Sequence, residues 1–435
     1  MRRAYAKRGD SHKREQAGRR ASASGPGREI RLPLDRDELL ALMQDSLETL
    51  AIELGLLVAS GVLEDEVTRL CGRRYERRPD RTHTRYGHQR GTATLAGQKV
   101  VLARPRVRRA DGGGEVPLET YAHLQSPDAM PRAVFRRMVR GVSTRDYEQV
   151  VDLARDGFGV AKSSVSRDFV RASAAAVKAL AERRFDGVYF PVVMIDGLEY
   201  AGETMIVALG ITADGTKRIL GLRQGATENA AVCVALLEDL RGRGLDTGRP
   251  ALLVLDGAKA LHAAVKRVWG SKAVIQRCQI HKKRNIKAHV PEKHHAELER
   301  RLSEAYHEAG HETAQASLEA TARWLERINP DAAASLREGL EETLTVARLG
   351  LAGALRRTLA TTNPVESALS VTRRVTGRVT RWREGDMRRR WCVAGLLRAE
   401  SKFRRLKGHR AMPILIKALE VLTRGQPAGS ERDVA

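Results

Sequence analysis

The chain has 435 residues, of which 42% are hydrophobic and 4% aromatic, and its formal net charge is +24. This length allows roughly two to four domains, and the charge indicates a polyanionic partner, nucleic acid before an anionic membrane surface. No apolar run reaches the roughly 18 residues that a membrane span needs, and the basic N-terminus lacks the apolar segment of a signal peptide.

The first 125 residues are basic and of mixed structure. Residues 1–30 are rich in Arg, Lys, Ser and Gly without periodicity, which predicts a disordered basic arm. Residues 31–125 are predicted to be a helical and β-hairpin region that binds DNA. Apolar spacing over 35–71 predicts two helices, and alternation after them predicts a hairpin turning near Gly97. Segment 73–109 holds twelve lysines and arginines against two acidic residues. Phosphate contact explains this excess better than a solvated face, which stays the alternative.

Residues 126–184 are predicted to form a helix-turn-helix region. Ser143 can cap a first helix, a glycine-containing turn at 157–159 follows, and a second helix begins near Ser163. The second helix would enter the major groove with its early polar residues at base edges. An ordinary helical hairpin fits the same spacing and stays open. The residues on this helix predicted to contact DNA are Arg167 and Arg171.

Residues 185–280 predict an α/β sheet. The order is three strands, a helix, a strand, a helix and a last strand. The first three strands are antiparallel, with Asp214-Gly215 as a hairpin turn, and the later strands return by helical crossovers. Asp214 is assigned a turn role only, because this hairpin falls at the opposite end of the sheet from the two Asp-Gly pairs that end strands.

Those two Asp-Gly pairs place Asp196 and Asp256 at strand ends. If both strands run the same way, the two carboxylates emerge at one edge, and their repulsion favours a divalent cation between them. Oxygen ligands suit Mg²⁺ or Mn²⁺, and two such ions could activate water and stabilise a leaving oxygen at phosphorus. A plain strand-end turn is the alternative for each pair. Candidates for a third ligand by proximity are Glu199, Glu203 and Glu228.

The β pattern ends near residue 281. Residues 281–355 are polar, rich in Ala, Leu and Glu, and predict an all-helical insertion. Residues 356–415 predict the last part of the core, with a new helix at Asn363-Pro364 and an arginine-rich helix near 386–405. Residues 416–435 are predicted to be a C-terminal tail.

Glu366 is the only acidic residue between Glu342 and Glu384, an interval that contains eight arginines. With Asn363 as N-cap and Pro364 first in the helix, Glu366 would be third and would complete a capping box. The same helix end could direct Glu366 at a metal and place arginines behind it on DNA. Both interpretations can hold together. The arginines predicted to contact DNA there are Arg373 and Arg374.

The chain resembles the Mutator-type transposases of bacterial insertion sequences. The resemblance covers roughly residues 35–415 and is specific because the motifs follow in order, with 60 residues from Asp196 to Asp256 and 110 from Asp256 to Glu366. The matching stretches include "STRDYEQVVDLARDGFGVAKSSVSRDFV", "MIDGLEYAGETMIVALGITADGTKRILGLRQG", "LLVLDGAKALHAAVKRVWG", "IQRCQIHKKRN" and "ATTNPVESALSVTRRVTGRVTRW".

The resemblance implies an α/β ribonuclease H-like catalytic core with an all-α insertion, preceded by a mainly helical DNA-binding N-terminal region. It implies that Asp196, Asp256 and Glu366 are the catalytic triad and hold Mg²⁺ or Mn²⁺, as two ions. The partners it implies are double-stranded DNA, both terminal inverted repeats and target, and a second copy of the chain on that DNA, in a bacterial cytoplasm at the nucleoid. The reaction would be DNA cleavage and strand transfer without a covalent protein intermediate. Many relatives have Asp-Ala where this chain has Asp196-Gly197, which changes the turn and not the carboxylate.

Two other functions stay open. A stand-alone ribonuclease H-like nuclease would not need the basic hairpin, the helix-turn-helix or the long insertion. A domesticated, sequence-specific DNA-binding regulator would be expected to lack a carboxylate, whereas all three are present. Terminal inverted repeats beside the gene would favour a transposase over both.

The four cysteines lie far apart with no Cys-x-x-Cys pair, so no disulfide framework is predicted and a reducing cytosol is the default. Cys278 and His281 match a Cys-x-x-His element of the resembled family. Taken alone, this element is half of a zinc site that His307 and His311 could complete. Burial of Cys278 as a small apolar side chain is favoured over that zinc site. His281 and Arg284 are also predicted to contact DNA phosphate.

Overall fold

The computed structural model describes residues 47–76, 80–126, 128–151, 158, 160–200, 202–225, 230–383 and 385–424. The predicted basic arm, the turn glycines 157 and 159, and Glu228 lie outside these ranges. The described residues form two compact units: one contains those up to Met130 and Glu148–Ala161, and the other contains Pro131–Tyr147 and those from Lys162 onward. Among the described helices, none combines the length and apolar character that crossing a bilayer requires.

The first unit packs one long helix against a twisted hairpin. Its elements are α1 (Leu47–Cys71), β1 (His83–Leu95), β2 (Gln98–Arg109), β3 (Glu115–Val116) and α2 (Glu119–Leu124). Where two helices were predicted over 35–71, the described part is a single helix of 25 residues. Its apolar side chains pack on alternate residues of β1 and β2 in one core.

The predicted hairpin turn near Gly97 is confirmed. Strands β1 and β2 pair antiparallel up to Leu95 opposite Gln98. The two residues between them have left-handed backbones, with φ of 46° at Ala96 and 82° at Gly97. Two such residues give the turn whose twist matches the flanking strands.

The predicted helix-turn-helix is not found in the described residues. Helix α3 (Ala129–Met138) ends before Ser143, and the hydroxyl of Ser143 accepts hydrogen bonds at 3.1 Å from the N–H groups of Arg145 and Asp146. This local bonding replaces a helical ladder with turns, followed by a short 3₁₀ turn at Glu148–Val150. The second helix, α4 (Lys162–Ala181), begins where it was predicted.

The second unit is built on a five-stranded sheet. Its strands are β4 (Val192–Tyr200), β5 (Glu203–Ile211), β6 (Lys217–Gly225), β7 (Ala251–Leu255) and β8 (Ala273–Arg277), with α5 (Ala230–Gly242) and α6 (Lys259–Trp269) as crossovers. The spatial order is β6-β5-β4-β7-β8. Strand β5 is antiparallel to both neighbours, whereas β7 and β8 run parallel to β4. The predicted order and strand directions are confirmed.

Side-chain alternation divides the central strands between two cores. Val193 and Ile195 face a core that includes α5 and α6. Val192, Met194 and Leu198 face the opposite core, which is closed by helices from the C-terminal part of the chain. The even-numbered side chains of β4 and β7 therefore point to the sheet face that the C-terminal helices cover, and one of those helices carries Glu366.

No strand occurs among the described residues from 279 to 424, as predicted for the insertion and the region after it. The helices are α7 (Gln279–Ala288), α8 (His295–His307), α9 (His311–Glu326), α10 (Pro330–Arg337), α11 (Leu340–Thr343), α12 (Thr345–Arg348), α13 (Gly353–Leu359), α14 (Asn363–Thr376), α15 (Met387–Glu400) and α16 (Met412–Arg424). Helix α16 crosses the boundary predicted at residue 415, because Leu415 and Leu419 pack into the sheet's core.

Lys282 should be a strong determinant of stability within the helical region. Its fully buried ammonium donates to the carbonyls of Ser335 and Glu338 and joins α7 to the end of α10. We expect Lys282→Met to lower the free energy of unfolding by about 3 kcal/mol, because the part-buried Ser335 carbonyl loses its donor and the Glu338 carbonyl keeps only the Arg277 guanidinium. The matched change is Lys287→Met, which removes a half-exposed pair with Glu299 and should cost less than about 1 kcal/mol. Equal losses in urea unfolding of the two variants would contradict this assignment.

Candidate active site

Asp196, Asp256 and Cys278 occupy neighbouring positions across three adjacent parallel strands. Extending the registered pairs by one or two residues places Asp256 beside Asp196 and Cys278 beside Asp256. All three positions share the even-numbered side of the sheet, and adjacent strands lie about 4.8 Å apart. The last registered pairs are Met194 with Val254 and Leu255 with Arg277.

Asp196 differs from its prediction in one respect. It was expected at a strand end, but β4 continues to Tyr200 because it stays paired with β5 through Glu199 and Thr204. Only the pairing with β7 stops before Asp196. The carboxylate therefore lies just past the last parallel pairing of β4 with β7, as the two Asp-Gly pairs suggested. The antiparallel pairing of β4 with β5 continues beyond it.

Burial dominates the electrostatics of Asp196. The residue is 5% exposed, and this desolvation raises its pKa from 3.8 to about 7. Asp256 and Glu366 raise it further, His281 opposes them, and the N–H of Gly197 donates to Oδ1 at 3.0 Å. Asp256 and Glu366 therefore both lie within electrostatic reach of Asp196.

Asp256 is half-buried in the loop after β7. Its Oδ1 accepts a hydrogen bond of 2.9 Å from the N–H of Ala258, just before α6. Within the described ranges, neither Asp256 nor Asp196 forms an ion pair with a Lys, Arg or His side chain. Apart from the charge of His281 near Asp196, no cation among the described residues is paired with either carboxylate. This is notable in a chain of charge +24, because buried carboxylates are normally paired or bound to metal.

Glu366 comes from the helix that covers this side of the sheet. The predicted capping box is wrong: the N-cap is Thr362, Asn363 begins α14, and Glu366 is the fourth helical residue. Its Oε1 accepts a hydrogen bond of 2.7 Å from the Thr362 hydroxyl instead of from an N-cap amide. The carboxylate is consequently held at the helix start by a side chain.

Thr362 is the residue that the sequence reading missed. It is fully buried, and its hydroxyl lies 3.4 Å from both Cys278 Sγ and His281 Nδ1. A hydroxyl has one proton to donate, so the short contact identifies Glu366 as its acceptor, while the Thr362 N–H faces Cys278 Sγ at 3.4 Å. The signal in the sequence was the Thr-Thr pair before Asn363-Pro364.

Cys278, His281 and Glu366 form a cluster whose ligand atoms lie within 4.8 Å of one another. The hydrogen bond with Cys278 raises the pKa of His281 to about 9, and Asp196 and Glu366 add to this rise. His281 is therefore positively charged near pH 7 beside these carboxylates. Burial alone would raise the pKa of Cys278, but hydrogen bonds with His281 and Thr362 outweigh it and lower the pKa. Cys278 is fully buried, as predicted.

The zinc site considered from the sequence is not assembled in the described residues. His307 is exposed and bonds the carbonyl of Ser303 at 2.7 Å. His311 pairs with Glu341 at 3.3 Å. Neither histidine belongs to the cluster of Cys278 and His281.

The other acidic candidates lie apart from the carboxylate pair. Glu199 is exposed and has the opposite parity on β4, so it points away from Asp196. Glu203 pairs with Arg388 at 3.8 Å. Asp214 is held in its hairpin by Thr212 and Thr216, whose hydrogen bonds lower its pKa to about 2.

The predicted DNA-contacting arginines are all exposed in the second unit. Arg167 and Arg171 lie on the outer side of α4, whose inner residues include Val165 and Phe169. Arg284 lies on α7, one turn beyond His281. Arg373 and Arg374 lie in the second half of α14.

The donor atoms of the carboxylates fit a hard divalent cation. Asp196 and Asp256 offer only oxygen and are adjacent, which suits Mg²⁺ or Mn²⁺. Neither forms an ion pair with a described Lys, Arg or His side chain, although the nearby His281 lowers the pKa of Asp196. Glu366 has its ligand atom within 4.8 Å of those of Cys278 and His281. Asp196 and Asp256 are thus the residues that best suit a divalent cation, and Glu366 lies near them.

Comparison with known proteins gives consistent relatives. The sequence model described as "Transposase, Mutator family" matches residues 35–393. The transposase for insertion sequence element ISRM5 of Rhizobium meliloti is 30% identical over 302 residues, which are 67% of this chain and 73% of the relative. That for IS1081 of Mycobacterium tuberculosis is 28% identical over 59% of this chain and 63% of its own length. That for IS256 in transposon Tn4001 of Staphylococcus aureus is 24% identical over 61% and 68%, respectively.

Proposed function

The chain belongs to the Mutator family of transposases, and we propose that it cuts the ends of an insertion sequence and joins them to new DNA in a metal-dependent reaction. One observation carries this proposal. Asp196 on β4 and Asp256 just after the neighbouring parallel strand β7 lie close enough to interact, and Glu366 is brought near Asp196 from the covering helix. A basic chain has little structural reason to place three carboxylates together unless a cation joins them.

We assign the core to the ribonuclease H-like fold. The support is the order β6-β5-β4-β7-β8, with only β5 antiparallel and with helices on both sheet faces. In this proposal the helices of 281–355 are the insertion between the second aspartate and the glutamate. The fold would then present the carboxylates at the edge where the parallel strands end.

Asp196, Asp256 and Glu366 would hold Mg²⁺ or Mn²⁺, as two ions in our proposal. Such ions make water or a 3′-hydroxyl a better nucleophile and stabilise the leaving oxygen at phosphorus. The protein's part is to fix the carboxylates: the Gly197 and Ala258 amides orient the two aspartates. No side chain of the site needs to form a covalent bond to DNA.

Thr362 would act as a positioning residue for Glu366. Removing its hydroxyl leaves the half-buried Glu366 carboxylate without this hydrogen bond and freer to rotate, which should misplace the third ligand. We expect Thr362→Val to lower kcat for end cleavage about tenfold with the KM for DNA unchanged, since a hydrogen bond to a charged group is worth about 1.5 kcal/mol or more.

The serine variant separates positioning from packing in that experiment. Thr362→Ser keeps the donor and loses only a methyl group, so it should recover most of the lost kcat. A Val variant as fast as the natural chain, or a Ser variant as slow as Val, would contradict the positioning role.

DNA would be bound by two separate sets of basic groups. In the first unit, Arg106 and Arg108 flank the exposed ring of Tyr86 on the hairpin, at 5.1 and 3.5 Å from its centroid. A two-stranded ribbon of this kind can enter a major groove. In the second unit, the proposed contacts to phosphate are Arg167, Arg171, His281, Arg284, Arg373 and Arg374.

The proposal is tested with DNA ends from the flanks of the gene. The purified chain is incubated with labelled duplexes carrying the terminal inverted repeats, a target plasmid and Mg²⁺ or Mn²⁺. We expect cleavage at the repeat ends and joined products, stopped by a chelator, with two copies of the chain on a paired-end complex. Binding of the repeats without any cleavage in either metal would favour a DNA-binding regulator, whereas cleavage indifferent to the repeats would favour a nuclease.

A further inference from the structure

A concave basic cleft lies beside the helix that carries Glu366. Its volume is about 750 Å³, and its walls come from α13, the first half of α14 and the loop after α15. We call it the basic cleft. Six of its lining residues are cationic and none is acidic: Lys217, Arg357, Lys402, Arg404, Arg405 and Lys407.

Most of these cations are not neutralised by the fold. Arg405 pairs with Asp214 at 3.4 Å. The other exposed cations, Arg357, Lys402, Arg404 and Lys407, form no ion pair with a residue in the part of the chain that the structure describes. The acidic residue nearest in sequence, Glu400, is occupied by Arg183 at 2.7 Å. An anionic ligand would therefore find free counter-charges here.

One of the side chains that line the basic cleft is aromatic. Phe403 lines it, half-buried, with the Lys217 ammonium 5.1 Å from the ring centroid. Proteins that read duplex DNA insert a convex helix or ribbon into a groove. A concave basic groove with an aromatic side chain is instead typical of sites for an unpaired strand, whose phosphates meet the cations and whose bases meet the ring.

The basic cleft also shares a helix turn with the candidate active site. Asn363, Pro364 and Ser367 line the cleft, and Glu366 lies among them on the first turn of α14. Val371 extends this side of the helix into the cleft, and Arg374 lies three residues farther on the same side. The cleft and Glu366 therefore lie on different sides of the same first turn of α14, so a strand in the cleft would run along the helix that carries Glu366.

We propose that the basic cleft binds single-stranded DNA, the strand that separates from its complement next to the active site. This inference rests on the proposed function for the identity of the strand, but its binding test does not depend on catalysis. The phosphates would contact Lys402, Arg404 and Lys407, and one base would lie against Phe403.

The test measures binding of a short fluorescent oligothymidine by anisotropy over a range of salt concentrations. It uses the full-length chain carrying Asp256→Asn, so that the DNA stays intact. The cleft variant adds Lys402→Gln, Arg404→Gln and Lys407→Gln. The control variant instead adds Lys293→Gln, Arg323→Gln and Arg327→Gln. Those three cations are exposed on the helical region and form no ion pair with any described residue, so both variants lose the same charge.

We expect the cleft variant to bind oligothymidine at least about tenfold more weakly, with a salt slope reduced by about 2, since each phosphate contact contributes about 0.7 on a single strand. The control variant should match the parent, and binding of duplex repeat ends should be similar in all three proteins. Equal losses in cleft and control variants would overturn the proposal. An equal loss of duplex binding in the cleft variant would also overturn it, in favour of a duplex contact.

The experiment distinguishes failure of the cleft inference from failure of the proposed function. If the natural chain cuts repeat ends while the cleft variant keeps its affinity for oligothymidine, only the cleft inference fails. If the natural chain cuts nothing while the cleft variant loses that affinity, the proposed function fails and the cleft stays a single-strand site. Circular dichroism melting of each variant confirms that the compared proteins are folded.

Discussion

Asp256→Asn should lower the rate of end cleavage by about 10³-fold or more. The change keeps the shape of the side chain and its bond from the Ala258 amide, but it removes a negative charge from a metal ligand. Metal ions supply several kcal/mol of transition-state stabilisation, and each 1.36 kcal/mol is a factor of ten in rate. Asp196→Asn and Glu366→Gln should cause losses of similar size, because the three act as one site.

The control for this prediction is Asp214→Asn. Asp214 also precedes a glycine, but it is exposed in the β5–β6 hairpin and bonds Thr212 and Thr216. Its variant should therefore cleave at the natural rate. Full cleavage by any one of the three active-site variants, measured on labelled repeat ends, would remove that residue from the triad.

Asp196 should make the metal-free protein less stable as the pH rises. Its pKa is about 7 in the folded chain against an ordinary 3.8, so the folded state binds this proton more tightly than the unfolded state. The stability that the protonated group contributes is fully present below pH 4 and is lost as the pH rises through 7. The difference between these pKa values corresponds to roughly 4 kcal/mol at most.

The measurement compares urea unfolding of the natural chain and Asp196→Asn, both in chelator, between pH 4 and pH 8. Asparagine resembles the protonated carboxyl, so the variant should be about as stable at pH 4 and increasingly more stable towards pH 8. Added Mg²⁺ should narrow this gap, because it favours the ionised carboxylate in the natural chain only. A gap that does not change with pH would show that burial of Asp196 has no such cost.

Sequence patterns predicted the parallel edge of the sheet well. Apolar runs before Asp196 and Asp256, with a helical crossover between them, were enough to place both carboxylates at the same edge of the sheet. The pattern could not reveal that β4 continues past Asp196. That length depends on pairing with β5, and the pairing partner of a strand is a tertiary property.

The helix starts were harder to predict, because capping depends on which hydrogen-bond partner is present. Asn363 had the right residue type for an N-cap, yet Thr362 holds that position and bonds Glu366 with its side chain. Ser143 likewise had the right type for a cap but forms a local turn. In both cases a short polar side chain had several backbone and side-chain partners within reach.

The position of Cys278 beside Asp256 also needed the structure. It follows from the register of β8 against β7, which no local pattern specifies. The row of Asp196, Asp256 and Cys278 explains why a Cys-x-x-His element lies near a carboxylate site. His281 is the third residue of the helix that follows Cys278, and its Nε2 lies 3.9 Å from Glu366 Oε1.

Asp256 is proposed to bind the metal ion of a DNA-cutting site, and the direct test of that role exchanges its donor atom. In Asp256→Cys, a thiolate replaces the carboxylate and disfavours Mg²⁺ in favour of softer ions. We predict no cleavage of repeat ends with Mg²⁺ and recovered cleavage with Mn²⁺ or Zn²⁺, while the natural chain works with Mg²⁺. Cleavage by Asp256→Cys with Mg²⁺ at the natural rate would show that Asp256 is not a ligand of the catalytic metal.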